Sequence, residues 1–469
     1  MPIRLLIAAL SILTLLLLSL SVFAASGAMG EAAARLLLGR SGFTPAPEQV
    51  RELAPLTPAR AVDRLLDHSL SAALTLPPAW VTEPTQAIRI NRLPEEERKA
   101  YFAERGRRQS QLRAWWWQEM LATPSPLTER MTLFWHGHFA TGMQKVGEPQ
   151  LMYAQNVLLR RHALGNFSEL LHGLARDPAM LVWLDGLNNR KGQPNENFAR
   201  EVMELFSLGE GHYSQQDVKE AARAFTGWSR NNETGEFVYR PDWHDDGEKS
   251  VLGVSGRLDG DAIIDILLGR PEMAEFIVGK LWREFIAPTV GKAEQREVSR
   301  LAALFRESGF EIKPLLRALF TSPAFQEHRG SLVKSPVELI TGTLRLFELH
   351  PADWPPLMAE AEGMGQQLFN PPNVKGWPGG DAWINSTTLL KRKTFLDRLL
   401  RVQDQPPNPK VQGVEALRFD AEHWLARFGR PRGDKTSPLA HALIPVPPRP
   451  QEGMDLIRDV LLDPGYQLK

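Results

Sequence analysis

The sequence predicts a mainly α fold, a large multi-helix globular array with one small inserted β-hairpin and a Pro-rich C-terminal connection. Helix-start signals recur along the chain, each a Ser, Thr or Asn cap or a proline at the first helical position. There are roughly fifteen such segments, many with apolar residues at helical spacing. With 43% hydrophobic and 23% charged residues, the 469-residue chain lies in the globular range and far from disordered composition.

The first element, residues 1–24, places Arg4 before an apolar run from Leu5 to Val22 and ends in small residues. This is the form of a secretory signal cut after Ala24, with an uncleaved membrane anchor as the alternative. Either reading puts the bulk of the chain in the periplasm or the medium, with contact to membrane only through this segment if it stays. The chain has no cysteine, which excludes disulfides, thiolate metal sites and cysteine nucleophiles. Lys+Arg and Asp+Glu are 55 each, which argues against a general electrostatic grip on nucleic acid.

Residues 25–402 are predicted as a helical main domain. Thr57-Pro58 opens AVDRLLDH, and Pro94 precedes Glu95, Glu96 and Glu97 at the start of a helix carrying Trp115, Trp116 and Trp117 as a stack. Ser214 with Asp217 and Ser335 with Glu338 have the form of capping boxes, the first helix stopping at Gly227. Phe237–Tyr239 and Ser250–Leu252 are predicted to pair as the one hairpin. LLRALFTSPAFQ, ending at Gln326, and LIRDVLLDPGYQ, ending at Gln467, repeat a helix closed by Ser-Pro or Asp-Pro, a recurring packing joint. Residues 403–450 hold PPNP and PVPPRP and form a connecting segment whose one helix candidate is AEHWLARF. Residues 451–469 supply a last helix that returns to the main domain.

Four motifs stand out: FWHGHF (Phe134–Phe139), NENFAREVMELFSLGEGHYSQQDVKEAARAFTGW (Asn195–Trp228), HDDGEKSVLG (His244–Gly253) and PPNVKGWPGGDAWINSTTLL (Pro371–Leu390). In this order the chain resembles the bacterial family known as domain of unknown function 1800, from ARLLLGRSGF near Ala34 to the end. Thr44 stands where that family usually has Gly, and Gly137 where Asn is common. The resemblance implies an exported protein. Genes of that family commonly lie beside those of a second exported family of unknown function, numbered 1501, which resembles sulfatases and alkaline phosphatases. The resemblance therefore implies an exported protein partner.

The residues offer three sets of chemistry. His136 and His138, with His244, Asp245 and Asp246, are the types that bind a divalent metal ion. Residues two apart on a helix point about 200° from each other, so the histidine pair can share an ion only if the helix ends near Gly137. Otherwise they hydrogen-bond the helix end beside a core made of Trp135 and Phe139. Arg200 lies four residues from both Glu196 and Glu204 and can bridge them. With Glu201, and with Arg223 of the next helix, these form either a catalytic acid–base cluster or an ion network ordering two helices. The Gly- and Pro-bent loop carrying Lys375, Trp377, Trp383 and Asn385 offers two indoles for binding a sugar or a partner, or for anchoring the loop. The loop from Asp185 to Glu196 has calcium-loop length but Leu187 and Arg190 at positions that need a ligand and a glycine. No nucleophile elbow, phosphate loop or dinucleotide fingerprint is present. Two functions from different classes follow. One is an exported helical protein that binds or stabilises an exported partner; the other is a metal-dependent hydrolase of an envelope or extracellular polymer.

Overall fold

The computed structural model describes residues 27–85, 92–404, 410–428, 443 and 453–469; the signal segment 1–24 and most of the Pro-rich stretch lie outside the described residues. The signalled caps form. Thr57 Oγ1 accepts from the Arg60 N–H at 3.3 Å and opens helix Pro58–Asp67. Ser214 and Ser335 each complete a reciprocal capping box, opening helices Gln215–Ala224 and Pro336–Leu346. Gly227, at φ 87°, turns the chain after the first of these, where a side chain would strike the Arg240 carbonyl. Both repeat joints also form: Ser322-Pro323 and Asp463-Pro464 close one helix, start the next turn and bury Phe325 and Tyr466.

The strands differ from expectation. Strand β1 (Trp228–Arg230) pairs antiparallel with β2 (Phe237–Tyr239), and β3 (Lys249–Val251) with β4 (Val254–Gly256). The two runs expected to form one hairpin thus belong to two. The second turns on Leu252 and Gly253, both at positive φ, a geometry that joins strands directly through two residues. This leaves β3 committed to its neighbour.

Two apolar clusters fill the interior. The first gathers helices Gly30–Ser41, Gln215–Ala224, Pro271–Phe285 and Gln295–Glu307; the second gathers Glu95–Ala122, Pro336–Leu346, Ser386–Arg401 and Gly453–Leu462. The last of these packs on Ser386–Arg401, and Trp424 of helix Ala421–Ala426 joins the same cluster. Helix Pro126–His138 stands between them, giving Leu127, Met131 and Trp135 to the first and Leu133 to the second. The tryptophan triplet does not stack. Consecutive helical positions turn by about 100°, so the indoles radiate. Trp115 bonds the Thr75 carbonyl, Trp116 bonds Glu129, and Trp117 meets the Trp354 ring. Among the described residues no helix is long and apolar enough to cross a membrane.

Glu338 shows how tightly charge is built into this interior. Beyond its cap, its Oε1 meets Arg130 Nη1 at 2.6 Å and also the Lys469 ammonium. Burial alone would raise its carboxyl, but the charges of Arg130 and Lys469 and the cap bond bring it down to about 2. The folded value lies below the unfolded one of about 4.3, so this stabilisation is complete above that pH and is lost as pH falls toward 2. Thermal unfolding midpoints between pH 5 and pH 2.5 should fall more steeply for the wild type than for Glu338→Gln; parallel profiles would contradict this.

Candidate functional site

Helix Pro126–His138 runs through Gly137 and closes at its last residue, where the Phe139 N–H bonds the Trp135 carbonyl at 2.8 Å. The two imidazoles therefore point to opposite clusters. His136 lies among the rings of Trp116, Phe369 and Trp377, with centroids 5.4–5.5 Å away, and its Nε2 has no hydrogen-bond partner. Burial holds its pKa down to about 3, so the ring is neutral. His138 faces the other way. Its Nδ1 lies 2.9 Å from the Lys280 ammonium, and its Nε2 lies 3.2 Å from the Phe206 carbonyl. This network assigns the Nε2–H tautomer, which accepts from the lysine and donates to the carbonyl.

The acceptors on this side come from an irregular element. Residues Val202–Leu208 form a π-helix continuing helix Glu196–Glu201, and it ends at Gly209, φ 82°, where a Cβ would lie 3.1 Å from Phe276. The final carbonyls of a helix lack backbone donors. Here Lys280 takes the Leu205 carbonyl at 3.2 Å and His138 takes that of Phe206. Burial, then the charge of Arg283, lowers the Lys280 ammonium to about 8. Burial and then Lys280 hold His138 well below the usual histidine range.

The loop after Pro371 closes the other side. Gly376 has φ 81°, and a Cβ there would fall 2.2 Å from the Gly137 carbonyl oxygen. Only glycine allows two backbones so close. Three motifs distant in sequence thus meet at one joint: FWHGHF, the π-helix of the second motif, and the VKGW turn. Lys375 extends from that turn to Glu210 at 3.5 Å, both exposed. Beside them, burial and then Glu204 raise the Glu201 carboxyl, partly offset by Arg200 and Lys375. Glu204 accepts a hydrogen bond from the Tyr213 hydroxyl.

Other expected groupings separate. Arg200 donates to Glu196 at 3.1 Å and to Gln215 at 2.9 Å, and its expected bond to Glu204 is absent; the wider π-helical turns take Glu204 out of the i,i+4 line. Arg223 belongs to a second cluster, forking onto Asp245 at 2.8 and 3.1 Å and reaching Glu220 at 2.6 Å. The Arg223 hydrogen bonds bring Asp245 down to about 2. The proposed metal set is not assembled. His136 sits in its aromatic cage, His138 is held by Lys280, and His244 Nδ1 bonds the Thr226 carbonyl at 2.9 Å. Asp245 is held by Arg223, and Asp246 by Lys191 at 2.6 Å. Among the described residues no three His, Asp or Glu side chains are placed to hold one metal ion. Of the loop's four expected binding residues, Trp383 is buried and Asn385 caps helix Ser386–Arg401, which leaves Lys375 and half-buried Trp377 at the joint.

Lys280 was not singled out by sequence. It lies in PEMAEFIVGKLWREF, three residues after Ile277 and seven after Met273, on the apolar stripe of helix Pro271–Phe285. A lysine on a core stripe is the signal that points to it.

A mainly α protein whose separated motifs meet at one joint is the class that fold and site define. The chain belongs to the family described as protein of unknown function, DUF1800, whose model matches residues 36–468. No curated protein and no solved structure matches it.

Proposed function

We propose that the protein is an exported binding protein that docks a partner of the sulfatase- and phosphatase-like family 1501 on the surface over the motif joint. One observation carries this reading: the buried parts of the three motifs are occupied in packing on and bonding to one another. What they leave at its surface is Lys375, Trp377, Glu201 and Glu210. A fixed aromatic group with charges around it costs little entropy to bind, and such groups dominate protein interfaces. Export rests on the signal-like residues 1–24. The two histidines serve as braces of this surface, His136 behind Trp377 and His138 across the π-helix end.

Full-length protein cross-linked in its native envelope and purified should bring down a stoichiometric exported partner of the sulfatase-like class. Repeated recovery of the protein alone would contradict the reading.

A further inference from the structure

A pocket of about 270 Å³ opens beside the first helix, far along the chain from any of the four motifs. Leu36, Phe43 and Leu468 line its apolar side, and Arg35, Arg329 and Lys334 its charged side. Behind it lies a set of cations that outnumber the carboxylate side chains beside them. Arg40, fully buried, donates to the backbone oxygens of Phe285 at 2.9 Å and Ile286 at 3.0 Å, and to that of His328. Arg392, equally buried, donates to the Lys334 carbonyl at 2.9 Å and to Gln467 Oε1 at 3.1 Å. Lys334 donates to the Tyr466 carbonyl at 2.7 Å, its ammonium 4.1 Å from the centroid of that ring.

Among the described residues none of these three reaches a carboxylate side chain. The carboxylates present, Glu284 and Glu338, are taken by Arg130 and Lys469. Five cations therefore share two side-chain carboxylates, and Arg40 also reaches the Lys469 main-chain oxygen at 3.4 Å. The Nε atoms of Arg40 and Arg392 are buried with no hydrogen-bond partner. Burial lowers the Lys334 ammonium to about 8. A buried charge without a counter-charge is costly, and of these three cations Lys334 lines the pocket, where a bound anion would offset that cost.

We propose that this pocket binds a small amphiphilic anion, a carboxylate or phosphate head group on a short apolar body. The head group meets Lys334 and Arg329, and the body lies on Leu36 and Phe43. The observation is independent of the partner surface, and either proposal can fail alone.

Calorimetry on the full chain at low salt tests it with four probes: octanoate, octyl phosphate, inorganic phosphate and octanol. At least one of the two amphiphilic anions should bind with one-to-one stoichiometry, about tenfold or more tighter than inorganic phosphate or octanol. Which of the two binds more tightly identifies the head group. Lys334→Met should weaken that binding about tenfold. Arg329→Gln changes an exposed side chain, so it keeps the fold, and should weaken binding about threefold. Failure of both amphiphilic anions to bind would overturn the proposal. So would octanol or inorganic phosphate binding as tightly as they do, or unchanged affinity in Arg329→Gln.

Discussion

Glu129→Ala is expected to lower the unfolding free energy by about 3–5 kcal/mol, a large share of the stability of any domain. Glu129 and Arg160 are each 1% exposed. The guanidinium forks onto the carboxylate at 2.6 and 3.0 Å, and the Trp116 indole N–H adds a third bond at 2.8 Å. Removing the carboxylate leaves Arg160 buried, with the Asn156 side chain at 2.6 Å and the Trp115 ring at 5.2 Å as its partners. It also frees the indole that stands against His136, so the damage extends toward the joint. Urea denaturation should show the loss in Glu129→Ala. A double Glu129→Met, Arg160→Met variant should cost less than the two single changes together, because it leaves no orphaned charge. The exposed pair Arg300–Glu297 is the reference: Arg300→Ala should change stability by less than about 1 kcal/mol. Equal small losses at both sites would contradict the account.

Gly376→Ala is expected to break the joint itself. Its effect can be separated from backbone strain by comparison with Gly379→Ala in the same loop. Both glycines have positive φ, 81° and 68°. A Cβ at Gly379 meets nothing within 4 Å, so that change should cost only the strain of its backbone at φ 68°, ψ −176°, about 1–3 kcal/mol. A Cβ at Gly376 would overlap the Gly137 carbonyl, a backbone atom that cannot rotate away. Overpacking of that kind adds about 1–3 kcal/mol and lifts the loop from the histidine turn. The part of the emission that Trp377→Phe removes should then shift toward that of a solvent-exposed indole in Gly376→Ala alone. The same shift in both variants would mean that close approach is not what holds the loop.

Much of the helical frame was legible because its signals are local. Thr57, Ser214 and Ser335 cap the helices they announce, and the Ser-Pro and Asp-Pro joints recur where the repeat places them. The divergence of His136 and His138 was legible only on the condition that the helix runs through Gly137, which the sequence left open. What each imidazole meets was not, because Lys280 and Phe369 come from segments with no spacing relation to the pair. The π-helix was hidden for a similar reason: its residues read as an ordinary amphipathic helix, and the wider turn shows only where Lys280 and His138 donate to its freed carbonyls. The strand pairing failed because three-residue runs such as Trp228–Arg230 carry too little alternation to declare a partner. Tryptophan marked the architecture more reliably than it marked a binding face. Of the 13, Trp115, Trp116, Trp117, Trp135 and Trp282 are fully buried between helices, and Trp383 serves the interior as well.

The central claim is that the motif joint presents the docking surface, and partner recovery from the native envelope tests it most directly. Wild type, the double variant Lys375→Glu, Trp377→Ala, and the reference variant Arg300→Ala should first be matched for thermal stability. The account predicts that the double variant recovers the exported partner at least about tenfold less well, while Arg300→Ala recovers it like the wild type. Equal recovery by all three would contradict it.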